Sequence, residues 1–277
     1  MQIQIDDILT DIVKEQIPGD DVALLMGGGV DSATLLFTCL RLNKKPHGYS
    51  FFMEGKVTYD STKAEEICKS FGVPFTPVPL PESNLAEDFK TLASKYGCKK
   101  KTHFECTFPF LYTFPKIEER YVLSGVGADS HYVLSKKGMM HFKHTVELMN
   151  KFRHNYFHCT PNAGGIEQFK QFCEEYDKEL CVPYFEPEVY DYFYDRSWEE
   201  INKPVQKALI KQCYPEFDKC GKVKPHLNYQ LNAEIDKSFE KLLDNREINF
   251  KNRVRVMDIC RDWYTLNKSK ASLEHLF

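Results

Sequence analysis

The sequence lacks several features that mark common classes of protein. No two of its ten cysteines are spaced Cys-x-x-Cys, which argues against a zinc ribbon or a thioredoxin-like redox site. No apolar run approaches the ~20 residues that span a membrane. Residues 1–20 also lack the apolar stretch of a secretory signal. We therefore expect a cytoplasmic protein with free, packed thiols and no membrane partner.

The sequence also lacks a strong charge of either sign. Its 277 residues carry a formal net charge of −3 at pH 7, so no general basic field draws the protein to nucleic acid. Hydrophobic residues make up 42% and charged residues 28% of the chain, which is typical of globular proteins. We therefore expect a site that binds small molecules and no nucleic-acid partner.

Short apolar runs alternate with helical periodicity in the first half of the chain, which predicts a parallel sheet covered by helices on both faces. The predicted strands are 22–26, 48–53, 75–80 and 121–124. Two prolines in the third run predict a strand at the edge of the sheet. We predict an α/β fold, a parallel sheet sandwiched by helices, with a core over residues 1–135.

Helical periodicity dominates the second half, where the strand signal fades. We therefore predict a mostly helical part over residues 136–277 that completes the substrate site. Its predicted helices are 144–156, 165–180, 198–213, 229–244 and 250–266.

A run of three glycines, Gly27-Gly28-Gly29, follows the first predicted strand, and Asp31-Ser32 can begin the next helix. Such a turn lets backbone N–H groups face an anion at the positive end of a helix, so it can hold phosphate. No Gly-Lys-Ser/Thr follows at Walker A spacing. Asp31 would repel a phosphate unless a cation lay between them, which makes this aspartate a candidate magnesium ligand.

The stretch from Gly27 to Ser32 resembles the Ser-Gly-Gly-x-Asp-Ser signature of the PP-loop ATP pyrophosphatases. The resemblance implies an adenine nucleotide alpha hydrolase-like fold that holds the β and γ phosphates of ATP on Gly27, Gly28, Gly29 and Ser32. Adenine would lie by the second strand near Ser50. Gly27 departs from the pattern, because it replaces a serine that donates a hydroxyl to the phosphates.

A second motif, Leu123 to Ser130, resembles the Leu-Ser-Gly-x-Gly-Ala-Asp-Glu loop of asparagine synthetase-type domains. The resemblance implies that Gly125 and Gly127 face the pyrophosphate and that Asp129 holds Mg²⁺ together with Asp31. Ser130 departs from the pattern, because the family has a second acid there.

Later segments resemble the same family in order. Lys203 to Ala208 resembles its Lys-x-x-Leu-Arg helix, and Gly221 to Lys224 falls where the family has a lysine-bearing loop. Lysines suit the charge that develops at the phosphates and at the tetrahedral carbon. The candidate catalytic residues are therefore Lys203, Lys222 and Lys224.

The resemblance implies an ATP-dependent, AMP-forming ligase with ATP and Mg²⁺ as cofactors. It would adenylate a small carboxylate and then form an amide with ammonia or an amine. Amidotransferases of the family carry a glutaminase domain with a cysteine directly after Met1, whereas Gln2 follows Met1 here. We expect ammonia to come from solution or from a separate donor protein.

Two other functions stay open. One is modification of a tRNA base by activation of its carbonyl oxygen, a chemistry that other PP-loop enzymes perform. The other is a catalytically inactive nucleotide-binding module, which the departures at Gly27 and Ser130 favour.

Overall fold

The apolar segments form the strands of one parallel sheet in the described part of the chain. The computed structural model describes residues 4–56, 58–98 and 101–224, together with residues 235 and 238. The five strands lie in the order β3-β2-β1-β4-β5, and every pairing is parallel. They are β1 (Asp21–Leu25), β2 (Lys45–Met53), β3 (Phe75–Leu80), β4 (Tyr121–Ser124) and β5 (Glu179–Cys181).

The helices connect these strands and cover both faces of the sheet. Those before β4 are α1 (Ile5–Gln16), α2 (Val30–Arg41), α3 (Tyr59–Ser70), α4 (Leu85–Ser94), α5 (Lys101–Thr107) and α6 (Phe110–Thr113). Those after β4 are α7 (Ala128–Tyr132), α8 (Lys136–His141), α9 (Val146–His154), α10 (Ile166–Glu175), α11 (Pro187–Phe193), α12 (Trp198–Asn202) and α13 (Ala208–Cys213).

The hydrophobic core lies on both sides of the sheet, because side chains of a strand point alternately to its two faces. Val22 and Leu24 of β1 belong to one buried cluster, and Ala23 between them belongs to the other. All three residues are fully buried. Burying a Val or Leu side chain contributes roughly 1.5–3 kcal/mol, so a polar residue on this central strand would cost much of the stability.

The register of β1 with its neighbours sets the position of the loops that follow. Leu25, the last residue of β1, lies opposite Ser124, the last residue of β4. The loops after these two strands therefore leave the sheet side by side at its carboxyl edge. Binding sites of open α/β sheets lie at this edge.

The structure confirms the predicted class of fold, a parallel sheet sandwiched by helices. β3 lies at the edge, as its prolines predict. Two predicted helices need correction. The helix predicted over 165–180 ends earlier, because α10 stops at Glu175 and Glu179–Cys181 forms β5 beside β4. The helix predicted over 198–213 is interrupted between α12 and α13.

The division after residue 135 stays a prediction. Residues from both sides of it, such as Leu24 and Ile210, share one buried cluster. The predicted helices 229–244 and 250–266 lie outside the described residues, apart from 235 and 238. Within the described residues, no helix combines the length and apolarity needed to cross a bilayer. The cysteines in this part of the chain are free.

Candidate active site

The first loop joins β1 to α2 and is folded back on itself by Ser32. The Ser32 hydroxyl donates to the carbonyl oxygen of Gly27 at 2.8 Å and accepts from the Gly27 N–H at 3.1 Å. Gly29 is the N-cap of α2 and has extended backbone angles. The loop thus lies at the N-terminus of α2, where the helix dipole and free N–H groups attract an anion.

Gly28 lies against the start of α3, and only a glycine fits there. A Cβ atom at this position would lie 2.8 Å from Cβ of Lys63 and 3.0 Å from the carbonyl oxygen of Asp60. At Gly27 the nearest atom to such a Cβ is the Ser32 Oγ at 3.8 Å, an ordinary contact. The glycine that replaces the family's serine is therefore not required by the packing.

The second loop, between β4 and α7, is in contact with the first. A Cβ atom on Gly125 would lie 3.3 Å from Cβ of Asp31 and 3.4 Å from the backbone nitrogen of Ser32. Gly127 has a φ of +94°, and a Cβ there would lie 2.6 Å from the Phe185 ring. Both glycines allow the second loop to approach the N-terminus of α2 and the segment after β5.

A lysine joins the helices that follow the two loops, through an aspartate in the first turn of each. The Nζ atom of Lys207 lies 2.8 Å and 2.7 Å from the two carboxylate oxygens of Asp31, and 2.7 Å from Oδ1 of Asp129. The Lys207 side chain is 1% exposed, while those of Asp31 and Asp129 are 19% and 34% exposed. The cluster therefore has a buried cation on one side and two carboxylates that reach solvent on the other.

The backbone and surroundings of Lys207 hold its ammonium in place. Lys207 is the N-cap of α13 with a φ of +60°, a conformation that costs a non-glycine residue free energy. Its N–H donates to the side-chain oxygen of Asn202 at 3.1 Å. Nζ lies 4.9 Å from the centroid of the Tyr132 ring. Such strain is typical of functional positions.

Opposing effects act on the pKa of Lys207. Burial alone would lower this pKa, but the negative charges of Asp129 and Asp31 more than offset it, so the pKa lies above its ordinary value. Lys207 is therefore a cation at every physiological pH. A buried ammonium that is paired on both sides is stable in this setting, whereas the same group without its carboxylates would not be.

The three lysines proposed from the sequence lie elsewhere. Lys203 is exposed in the connection between α12 and α13. Lys224 forms an isolated parallel bridge with Gly29, and its Nζ lies 3.9 Å from the centroid of the Tyr59 ring. The carbonyl oxygen of Lys222 accepts from the Tyr59 hydroxyl at 3.2 Å. The structure thus brings the backbone of residues 222–224 beside the glycine loop, and their catalytic role stays a prediction.

Lys207 is the site residue that the sequence reasoning missed, although a signal was present. When the Lys-x-x-Leu-Arg pattern starts at Lys203, Gln206 stands at its Leu position and Lys207 at its Arg position. Started at Lys207, the same pattern meets Ile210 and Lys211, an apolar and a basic residue like the Leu and Arg of the pattern. The residue types at these two positions therefore favour Lys207.

β2 extends past the end of β1 at the edge where the loops lie. Its pairing with β1 ends at Tyr49, whose carbonyl oxygen also accepts from the Met26 N–H at 2.8 Å. The segment Ser50–Met53 continues beside β3. Ser50 itself is buried. The backbone of this overhang lies where the sequence predicted that adenine would bind, and that role remains a prediction.

Ser130, where the family has a second acid, faces a tyrosine of the second half. Burial raises the pKa of Tyr156, and a hydrogen bond with the Ser130 side chain partly opposes this. A Cβ atom on Gly164 would lie 3.2 Å from the Tyr156 hydroxyl and 2.8 Å from the Val126 side chain. The second loop is thus lined by residues that follow α9, and the prediction that this half completes the substrate site stays a prediction.

Fold and site together define an α/β nucleotide-binding protein of the PP-loop type. The sequence model of the family described as asparagine synthase matches residues 4–155, more than half of the chain. The chain belongs to this family. The match includes both glycine loops, and membership supports an ATP-utilising enzyme of the ligase type.

Two solved structures are similar at low identity. One is a predicted subunit of tRNA methyltransferase from Methanocaldococcus jannaschii, with 14% identity, a TM-score of 0.37, and coverage of 72% of this chain and 88% of that one. The other is the glutamine-dependent NAD⁺ synthetase from Acinetobacter baumannii in complex with ADP, with 12% identity and a TM-score of 0.32. The match covers 79% of this chain and 45% of that one. No curated protein matches the chain.

Proposed function

We propose that this protein transfers AMP from ATP to a small carboxylate and then forms an amide with ammonia or an amine. The observation that carries the proposal is the cluster of Asp31, Lys207 and Asp129 where the two glycine loops meet. Two carboxylates and an ammonium at the N-terminus of α2 suit a site that binds a polyphosphate and neutralises a pyrophosphate leaving group.

The residues of the cluster fit the metal that the family implies. Asp31 and Asp129 already converge on one cation, the Lys207 ammonium, at 2.7–2.8 Å. Mg²⁺ is commonly held by one or two carboxylates together with substrate phosphates. Asp31 and Asp129 would hold the ion, which supplies neutralisation of the charge on the departing pyrophosphate.

The chain's own groups would position the reactants. The backbone of Gly27–Gly29 and Ser32 would hold the β and γ phosphates, and the overhang Ser50–Met53 would contact adenine. A substrate carboxylate oxygen bonds to the α-phosphorus while the bond from that phosphorus to the bridging oxygen breaks and pyrophosphate leaves. The nitrogen of the amine then attacks the acyl carbon, loses a proton, and AMP leaves.

Lys207 would stabilise the charge that develops in the first of these steps. Its ammonium is fixed by the protein before ATP binds, so it needs little reorganisation during the reaction. Lys222 and Lys224 lie beside the glycine loop and would add positive charge at its rim. The amine would be free ammonia, another amine, or ammonia from a separate donor protein.

ATP–pyrophosphate exchange tests this proposal. A screen of small carboxylates, beginning with aspartate and with ammonium as acceptor, should find at least one that supports exchange. Asp31→Asn should abolish the exchange without unfolding the protein, whereas Asp218→Asn, a matched change at an exposed aspartate, should leave it intact. Unchanged exchange in Asp31→Asn would remove the role given to this carboxylate.

The departures at Gly27 and Ser130 favour a second candidate, a nucleotide-binding module without catalysis. This candidate predicts that ATP binds and that no carboxylate or amine leads to release of AMP or pyrophosphate. Calorimetric ATP binding combined with a negative exchange screen would therefore favour the module over the ligase.

A further inference from the structure

The Lys207 ammonium occupies the position between the two carboxylates that would hold the metal. It contacts both oxygens of Asp31 and one oxygen of Asp129, all within 2.8 Å. These are the distances of charge-assisted hydrogen bonds, which are stronger than neutral ones. In the protein without nucleotide, the acid pair is therefore already bound to a cation.

Because of its charges, the cluster should bind a metal ion only weakly when no nucleotide is present. Two carboxylates and one ammonium carry a formal charge of −1, so the site retains little attraction for a further cation. A divalent ion that took the carboxylates would lie close to a buried positive charge, and the two would repel each other strongly in this setting. The polyphosphate of a nucleotide removes this difficulty, because its oxygens accept the ammonium while the carboxylates accept the metal.

The ammonium does not leave the site easily. The Lys207 side chain is 1% exposed, its backbone N–H is held by Asn202, and its Nζ lies over the Tyr132 ring. A surface lysine could turn into solvent when a metal arrives, whereas Lys207 would have to give up this burial and these contacts to do so. The cation is part of the folded site.

We propose that Lys207 is a resident cation of the nucleotide-free site, so that a divalent metal binds to Asp31 and Asp129 only together with a polyphosphate nucleotide. The proposal rests on the proposed function for the identity of that nucleotide. It makes Lys207 a positioning residue for the metal ligands and sets the order in which the site fills.

Binding of Mn²⁺ to the nucleotide-free protein tests the proposal, with free Mn²⁺ measured by electron paramagnetic resonance. The wild-type protein should show no tight site. Lys207→Met removes the charge at similar side-chain length and should create one Mn²⁺ site at least tenfold tighter than any in the wild type. Adding Asp129→Asn to Lys207→Met should abolish that site. Lys170→Met, at an exposed lysine of α10, should behave as the wild type.

Two results would overturn the proposal. One is a wild-type protein that binds Mn²⁺ without nucleotide as tightly as Lys207→Met. The other is a folded Lys207→Met that gains no site. Circular dichroism checks the fold, and Lys207→Gln, which keeps hydrogen-bond donors without the charge, replaces the methionine variant if that one does not fold. Because no turnover is measured, a negative exchange screen would leave the result of the metal titration intact.

Discussion

The Nζ atom of Lys207 lies 2.7 Å from Oδ1 of Asp129, and this contact links the N-terminus of α13 to the first turn of α7. Through the same ammonium, Asp129 is joined to Asp31 at the start of α2. Three elements that are far apart in the sequence thus meet at one charged point.

Removing the charge of Lys207 should destabilise the protein. Lys207→Met leaves two partly exposed carboxylates side by side without their cation, and losing hydrogen bonds to charged groups costs about 1.5–3 kcal/mol. Urea unfolding near neutral pH measures the loss. Lys203→Met, at an exposed position, should change the free energy of unfolding by less than about 0.5 kcal/mol.

The stabilisation by Lys207 should depend on pH in one direction. Its folded-state pKa lies above the ordinary value of 10.5, so its contribution is full below 10.5 and is lost as the pH rises through the folded-state pKa. The difference in unfolding free energy between the wild type and Lys207→Met should therefore be constant at neutral pH and shrink in strong alkali. A difference that already shrinks between about pH 7 and 9, well below 10.5, would contradict the assignment.

His131 should make the fold sensitive to acid. Burial, opposed by a hydrogen bond to the Tyr184 carbonyl and reinforced by the charge of Arg153, lowers the pKa of His131 from 6.5 to about 3. The neutral ring lies 2.8 Å from that carbonyl oxygen. Stability from this group is therefore full above pH 6.5 and falls by about 1.4 kcal/mol per pH unit below it.

His131→Gln separates this effect from the protonation of carboxylates. The amide of glutamine can still donate to the Tyr184 carbonyl but does not titrate in this range. Urea unfolding at pH values of about 7, 6 and 5 should show a smaller loss for the variant than for the wild type. Equal losses would mean that His131 does not control the acid response.

The glycine loop should tolerate a side chain at one position and not at the next. Gly28→Ala places a Cβ 2.8 Å from the Lys63 side chain and 3.0 Å from the Asp60 carbonyl, so the loop must shift. We expect it to weaken ATP binding at least tenfold, as measured by calorimetry. Gly27→Ala, with its nearest contact at 3.8 Å, is the matched control and should change the affinity little.

Gly27→Ser should improve ATP binding. A Cβ atom at Gly27 has its nearest contact at 3.8 Å, and the added hydroxyl would donate to a phosphate, the role that the resemblance gives to the family's serine. A net hydrogen bond to a charged group contributes about 1.5–3 kcal/mol, which corresponds to a gain of at least tenfold in affinity. A variant that folds and binds ATP no better than the wild type would show that the loop does not present this side chain to the phosphates.

Asn202 should act on catalysis through Lys207. Its side chain accepts from the Lys207 N–H and donates to the Tyr132 carbonyl, both at 3.1 Å, and is buried. Asn202→Ala leaves these groups unpaired, at a cost of about 1–3 kcal/mol each. We expect slower ATP–pyrophosphate exchange, with the KM for ATP less affected than kcat. An unchanged kcat in a destabilised variant would limit Asn202 to a structural role.

Much of the fold follows from local patterns. The strand at 121–124 and the edge strand at 75–80 were predicted with their observed bounds, because buried apolar runs and prolines act through nearby residues. β5 was missed, since three residues carry too little pattern to distinguish a strand from a loop. That segment is a strand because β4 offers it an open edge to pair with.

The sequence by itself determined the two glycine loops, their order, and the aspartates that follow them. These features are local, because the chain needs glycine where the backbone turns and a carboxylate within a few residues of it. Only the tertiary structure decided which lysine lies between the aspartates. Charged side chains look alike along a sequence, and it is the packing of α12 against α13 and α7 that buries Lys207 beside the aspartates and leaves Lys203 in solvent.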